Sequence, residues 1–163
     1  MHTCSKFIGR YVEKNSGQFP VTSRVSSSYR SEGMGVTHVY FQQLVNGIEV
    51  ENGVANVNII DRTGKVMSSG NSFFQNEPPP TPTTDSESLS AKAAVIAFAK
   101  FLKVDVEPSE SNLQTETVDG LFQVTGAEFA SGPIPAKQNY MQVDKGDRLV
   151  LVWNLKVPVG INR

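Results

Sequence analysis

Residues 35–74 read GVTHVYFQQLVNGIEVENGVANVNIIDRTGKVMSSGNSFF, and this stretch decides the fold. Its first part, VTHVYFQQLV at 36–45, is rich in Val, Tyr and Phe, the residues that suit a pleated surface. Asn46-Gly47 follows, and both residues tolerate the positive φ of a type I′ hairpin turn. IEV returns as a second strand, with Ile48 and Val50 pointing one way and Glu49 and Glu51 toward water. Asn52-Gly53 marks a further turn or a bulge. VANVNII is a third strand, placing Val57 and Ile59 on one face and Asn56 and Asn58 on the other. DRTG is a tight turn and KVMSSGNSFF a fourth strand. Residues 36–74 are therefore expected to form an antiparallel meander.

Upstream, SKFIGRYVEK at 5–14 spaces Phe7, Ile8, Tyr11 and Val12 as a short amphipathic helix. VTSRVSSSYRSEG is Ser-rich and gives an irregular approach with one weak strand. Downstream, QNEPPPTPTTDSES at 75–88 has four prolines within five positions, which favours extended polyproline geometry and bars helix or sheet. It reads as a linker, and a Pro-rich ligand for an SH3-type domain is the alternative. Residues 89–103, LSAKAAVIAFAKFLK, form the best helix, with Val95, Phe98 and Leu102 on one face flanked by Ala91, Ala94 and Phe101. Ser88 or Ser90 caps it, and a membrane-surface helix is the competing reading. LFQVTGAEF at 121–129 is a strand, and GPIP is a loop whose prolines bar a ladder. A hairpin turns at residues 144–147, and its second arm, 148–157, is apolar on both faces, so it is central or covered. The second unit is then a helix followed by three antiparallel strands.

Composition narrows the function. The 163 residues carry a formal net charge of −1, which argues against a nucleic-acid footprint. Charge is +2 over 1–74, −5 over 75–120 and +2 over 121–163, and the acidic middle reads as a solvated face. The one cysteine, Cys4, excludes an internal disulfide and reads as a bystander thiol. No apolar run reaches the roughly 18 residues of a membrane span, and MHTCSKFIGRYV lacks the apolar core of a secretory signal. The chain holds two histidines, His2 and His38, so a three-histidine metal site is impossible, and H-E-x-x-H does not occur. There is no G-x-S-x-G elbow and no P-loop. His38, mid-strand, reads as a hydrogen-bonded sheet residue. No catalytic residue, metal ligand or cofactor site is expected.

The same residues carry a resemblance. Gly35, His38, Tyr40, Gln43, Gly47, Val50 and Asn52, then Val57, Asn58, Gly64, Lys65, Val66, Gly70, Asn71, Ser72 and Phe73, follow the pattern of the fungalysin/thermolysin propeptide motif, the FTP domain. The ending LVLVWNLKV, with Trp153, resembles the PepSY-type half of fungalysin precursors. The resemblance implies an α+β fold of two small cystatin-like units, each a helix packed on a curled antiparallel sheet. It implies an FTP-type unit at 1–76, a Pro-rich linker at 77–88 and a PepSY-like unit at 89–163. It implies the pro-region of a secreted fungal zinc metallopeptidase that inhibits its cognate peptidase domain and helps it fold, with the catalytic domain outside this chain. Neither a nucleic acid nor a membrane is an expected partner. A free-standing cystatin-like peptidase inhibitor or binding module is the alternative, and a small-ligand protein using the His38–Tyr40 face is a third. His38, Tyr40, Gln43, Gly47, Asn52, Asn58, Gly70 and Trp153 are the candidate site residues. They either fix the turns of the sheet by hydrogen bonding or face the partner.

Overall fold

The computed structural model describes residues 22–81, 89–105, 107–118 and 121–159. The proposed helix at 5–14, with His2 and Cys4, lies outside the described residues. The chain divides into two compact units: Met1–Thr81 with Asn139–Val150, and Pro82–Gln138 with Leu151–Arg163. Antiparallel strands dominate, with one α-helix among the described residues, so the class is mixed α+β.

In the first unit, β1 (Thr22–Ser31), β2 (Val36–Val45), β3 (Ile48–Ile60) and β4 (Lys65–Asn71) pair antiparallel in chain order. β2 has the bounds its composition suggests. It turns into β3 through Asn46 (φ 53°) and Gly47 (φ 78°), both in the left-handed region that a I′ turn needs. Gly64 (φ 66°) closes the β3–β4 turn, its N–H donating to the Ile60 carbonyl at 2.8 Å. Val39, Phe41, Ala55, Val57, Ile59 and Phe73 form one buried cluster. Val57 is 1% exposed; burying such a side chain stabilises by about 1.5–3 kcal/mol.

Three expectations for this unit are refined. The approach to β2 is a full ten-residue strand, β1. Its pairing slips between Val25 and Ser27, which breaks the two-residue period and hides the strand from a pattern reading. IEV and VANVNII are one strand, and of the two readings at Asn52-Gly53, a turn or a bulge, the bulge is the one found. Gln42 faces Val54 while Leu44 faces Glu49, so residues 50–53 leave the ladder as a wide bulge. The bulge carries β3 toward residues 139–143, where Val50 makes a parallel bridge to Tyr140. Nor do its glutamates simply point to water. Glu49 accepts Arg24 Nε at 2.8 Å and Glu51 accepts the Asn139 amide.

In the second unit, α1 (Ala91–Leu102) starts at Ser90, whose side chain accepts the Ala93 N–H at 3.1 Å, and ends at Lys103 in the left-handed conformation. It buries Ala91, Val95 and Ala99, a stripe of one residue per turn. The expected face through Leu102 and Phe101 is rotated outward: these residues are 49% and 80% exposed. Small residues point inward instead, so the helix lies close against Leu113, Val124, Ile134 and Ala136.

β5 (Gln114–Val118), absent from the sequence reading because every residue is exposed, pairs with β6 (Leu121–Thr125). β6 pairs with β7 (Ile134–Val143), and β8 (Arg148–Leu155) pairs with β7. The expectation that proline bars a ladder at GPIP fails. Pro135 lies within β7 opposite Gln123, and its carbonyl accepts the Lys156 N–H at 2.9 Å. Proline's missing donor costs nothing where the register asks that residue only for an acceptor.

Candidate functional site

The motif residues fall into three places. His38, Tyr40, Asn58 and Gly70 share the outer face of the first sheet, opposite the buried cluster. Strand register aligns them in two rows: Tyr29–His38–Asn58–Ser68 and Ser27–Tyr40–Asn56–Gly70. Directly opposed residues on one face sit close enough for side chains to interact. His38 Nδ1 lies 2.7 Å from Asn58 Oδ1, and Asn58 Nδ2 donates to Ser68 Oγ at 2.7 Å. With Asn58 oxygen as acceptor, the His38 proton sits on Nδ1. Nε2 then faces the Ser31 hydroxyl at 3.0 Å. Tyr29 stacks on the imidazole, centroids 4.6 Å apart and planes 23° from parallel. The Tyr29 and Tyr40 hydroxyls meet at 3.4 Å. That bond holds the Tyr40 phenol above its usual pKa, with desolvation and the neighbouring phenol adding to the effect.

Gly70 keeps this face flat. A Cβ there would lie 2.7 Å from Asn56 Oδ1, so the asparagine lies over the space a side chain would fill.

The other motif amides replace missing backbone partners. Gln43 is 2% exposed. Its amide donates to the Phe74 carbonyl at 2.9 Å while its oxygen accepts the Phe74 N–H at 2.7 Å. Asn52 does the same for Gln142: Nδ2 donates to its carbonyl at 3.0 Å and Oδ1 accepts its N–H at 2.8 Å. In each case one carboxamide mimics a peptide group where the ladder has run out. Gln42 spans the bulge by donating to the Val50 and Gly53 carbonyls. Gly53 is required there, since a Cβ would sit 2.7 Å from Gln43 Oε1 and 2.9 Å from Val50 Cβ. Asn46, beside Gly47 in the hairpin turn, donates to the Pro79 carbonyl at 2.9 Å.

At the rim of the sheet Asp61 accepts Thr37 Oγ1 at 2.6 Å and Arg30 Nε at 2.7 Å. The Thr37 hydroxyl first and Arg30 second hold its carboxyl below the usual 3.8. Trp153 is separate from all of these, in the second unit. Its indole N–H donates to the Leu89 carbonyl at 2.7 Å and its ring meets Phe122 edge-on at 5.5 Å.

Sequence reasoning thus named four residues that the fold gathers on one face, and four that it places elsewhere. It missed Tyr29 and Ser31, because their strand was illegible, and Gln142, which is 90 residues from Asn52. An open cleft of about 510 Å³ lies among Asn52, Ser72, Asn76, Gln142 and Lys145, and one of about 390 Å³ among Val104, Asp105, Glu128 and Phe129. Neither includes His38 or Tyr40. Among the described residues no group of three or more His, Cys, Asp or Glu is placed to hold a metal ion. No helix among them is long and apolar enough to cross a membrane.

In this α+β chain the motif carboxamides and His38 thus bond to one another and to backbone. Residues 22–73 match the family model described as the Fungalysin/Thermolysin Propeptide Motif. The matched segment is a propeptide motif, not a catalytic domain. The chain is 35% identical over 144 residues to extracellular metalloproteinase 3 of Arthroderma otae, covering 86% of this chain and 22% of that protein. It is 36% identical over 129 residues to extracellular metalloproteinase 2 of Arthroderma gypseum, covering 78% and 20%. Extracellular metalloproteinase 2 of Trichophyton rubrum is 35% identical over the same length. The chain spans about a fifth of the length of these relatives.

Proposed function

We propose that this chain is the pro-region of a secreted fungalysin-type zinc metallopeptidase, acting as inhibitor of the peptidase domain and as its folding aid. One observation carries the reading. A propeptide motif at 22–73 lies inside a similarity that covers 78–86% of this chain in proteins named extracellular metalloproteinases. Its partner is the cognate peptidase domain, and its location is extracellular. Neither role asks a pro-region for acids, bases or metal ligands. Both ask for a rigid surface that fits another folded body, since groups ordered beforehand lose less entropy on docking. The paired carboxamides of Gln43 and Asn52 and the His38–Asn58 row supply that rigidity.

In this reading His38, Tyr40, Gln43, Gly47, Asn52, Asn58, Gly70 and Trp153 maintain or form the partner surface. The first unit is of FTP type (1–76), a Pro-rich linker follows (77–88), and the rest (89–163) is PepSY-like. Each unit is a cystatin-like helix on a curled sheet; the packing of α1 on β6 and β7 supports this for the second. The test adds the purified chain to a fungalysin-type peptidase and follows peptide cleavage. Inhibition that fades as the chain is digested is the expected result. Undiminished cleavage at micromolar chain, with no gain in refolding yield of the denatured peptidase, overturns the reading.

A further inference from the structure

We infer that the outer face of the first sheet, centred on Tyr29, Tyr40 and Asn56, is a protein-docking surface, and that its occupant is the folded peptidase domain of the proposed function. The inference rests on that reading and deepens it by naming the face.

The face is built for contact, and the core beneath it does not need it. The buried cluster uses the opposite side of the same strands. Facing outward in the two rows are two phenols, an imidazole, two serine hydroxyls, two carboxamides and a glycine. Tyr29 is 53% exposed, and Ser27, Ser68 and Gly70 are exposed. Tyr, Ser, Asn and Gly are the residues that antibody paratopes favour, because they give broad contact and adaptable hydrogen bonds at low entropic cost. Neither central row contains Lys, Arg, Asp or Glu, and protein interfaces are depleted of charge at their centres. The Arg24–Glu49 pair bounds the face at one end, self-neutralised. A neutral patch of this kind complements a neutral patch on the partner and offers little to phosphate or to an anionic lipid surface.

Preorganisation adds to the argument. The imidazole is held on both nitrogens and stacked on one side, and Asn58 is held between His38 and Ser68. The Asn56 Oδ1 lies over Gly70, at the centre of this face.

Size selects the occupant. Four strands at about 4.8 Å spacing, crossed by two rows that each cover roughly 7 Å of strand, give a face of roughly 300 Å². A stable interface needs about 800 Å² from each side. A second copy, meeting the same patch about a two-fold axis, has too little area here to hold a dimer. A larger folded partner that also contacts other surfaces of this chain has no such limit.

The test uses the full chain. Asn56→Arg and Ser27→Arg each place a long cation on the face without removing a hydrogen bond described above. Thr117→Arg on β5 is the control. Far-UV circular dichroism and melting curves establish that all three fold. The expected result is a rise in Ki toward a fungalysin-type peptidase of at least tenfold for both face variants, with Thr117→Arg within twofold of wild type. Folded face variants that inhibit as well as wild type overturn the inference and leave the inhibitor reading standing. A wild type that fails to inhibit overturns both. Sedimentation that shows a dimer abolished by Asn56→Arg overturns the assignment of the occupant.

Discussion

Gln43→Met removes the carboxamide that pins Phe74 while keeping the side chain's length and volume. Both Phe74 backbone groups bond to that amide, at 2.9 and 2.7 Å, and Phe74 is 4% exposed. No water replaces the lost partner in so closed a site, so the Phe74 N–H and C=O are left buried and unpaired. Each such group costs about 1–3 kcal/mol, so the substitution is expected to destabilise by about 2–6 kcal/mol. Total stabilities are about 5–15 kcal/mol, which makes this a large fraction. With a urea slope of about 2 kcal/mol per molar, the unfolding midpoint falls by about 1–3 M. Urea titration followed by circular dichroism reads the shift, and hydrogen exchange reads the Phe74 amide, which is expected to lose protection ahead of Val57 in the core. A midpoint within 0.3 M of wild type, with the Phe74 amide still protected, refutes the claim that one side chain substitutes for a strand at this point.

Further outcomes follow from the same geometry. The depressed carboxyl of Asp61 contributes stability above its unfolded value near 3.8 and loses it as pH falls through the lower folded value. Asp61→Asn is therefore expected to be less stable than wild type at neutral pH, with the gap in melting temperature closing below about pH 4. Gly126→Ala places a Cβ against the Asn112 carbonyl at φ 88°. The left-handed conformation alone costs about 1–2 kcal/mol and the collision adds to it, read as an earlier loss of Trp153 fluorescence in urea. Trp153→Phe removes the bond to Leu89 and is expected to cost about 1 kcal/mol for it, with faster exchange in the first turn of α1. Gly70→Ala displaces the Asn56 side chain, which has solvent to move into, so its melting temperature is expected to stay within a few degrees while inhibition weakens.

How much was legible turns on whether the determinant was local. Asn46-Gly47 specified its turn because both residues accept positive φ, and the meander from 36 to 74 followed from it. The capped helix was equally local, though its buried face was misjudged because large residues were assumed to point inward. β5 was hidden and β1 was legible only as one weak strand, because exposed strands leave little burial pattern to read and a register slip in β1 weakened what remained. At Asn52-Gly53 a turn and a bulge were both open, because the partner that decides between them, Gln142, lies far along the chain. Pairing at that distance leaves no periodic trace. The amide roles were illegible for the same reason, since a glutamine that stands in for a peptide group looks like any other glutamine in a list.

β7 begins in the second unit and ends in the first, and β8 makes the return passage. Synthesis from the N-terminus therefore delivers β1 to β4 long before residues 139–150 emerge from the ribosome. Until then Asn52 and Val50 wait without their counterparts, and the first unit matures only after residue 150 has been made. A nick at the end of the Pro-rich run, after Thr81, likewise leaves residues 139–150 of the first unit on the C-terminal fragment, so clipping there does not by itself separate the two units.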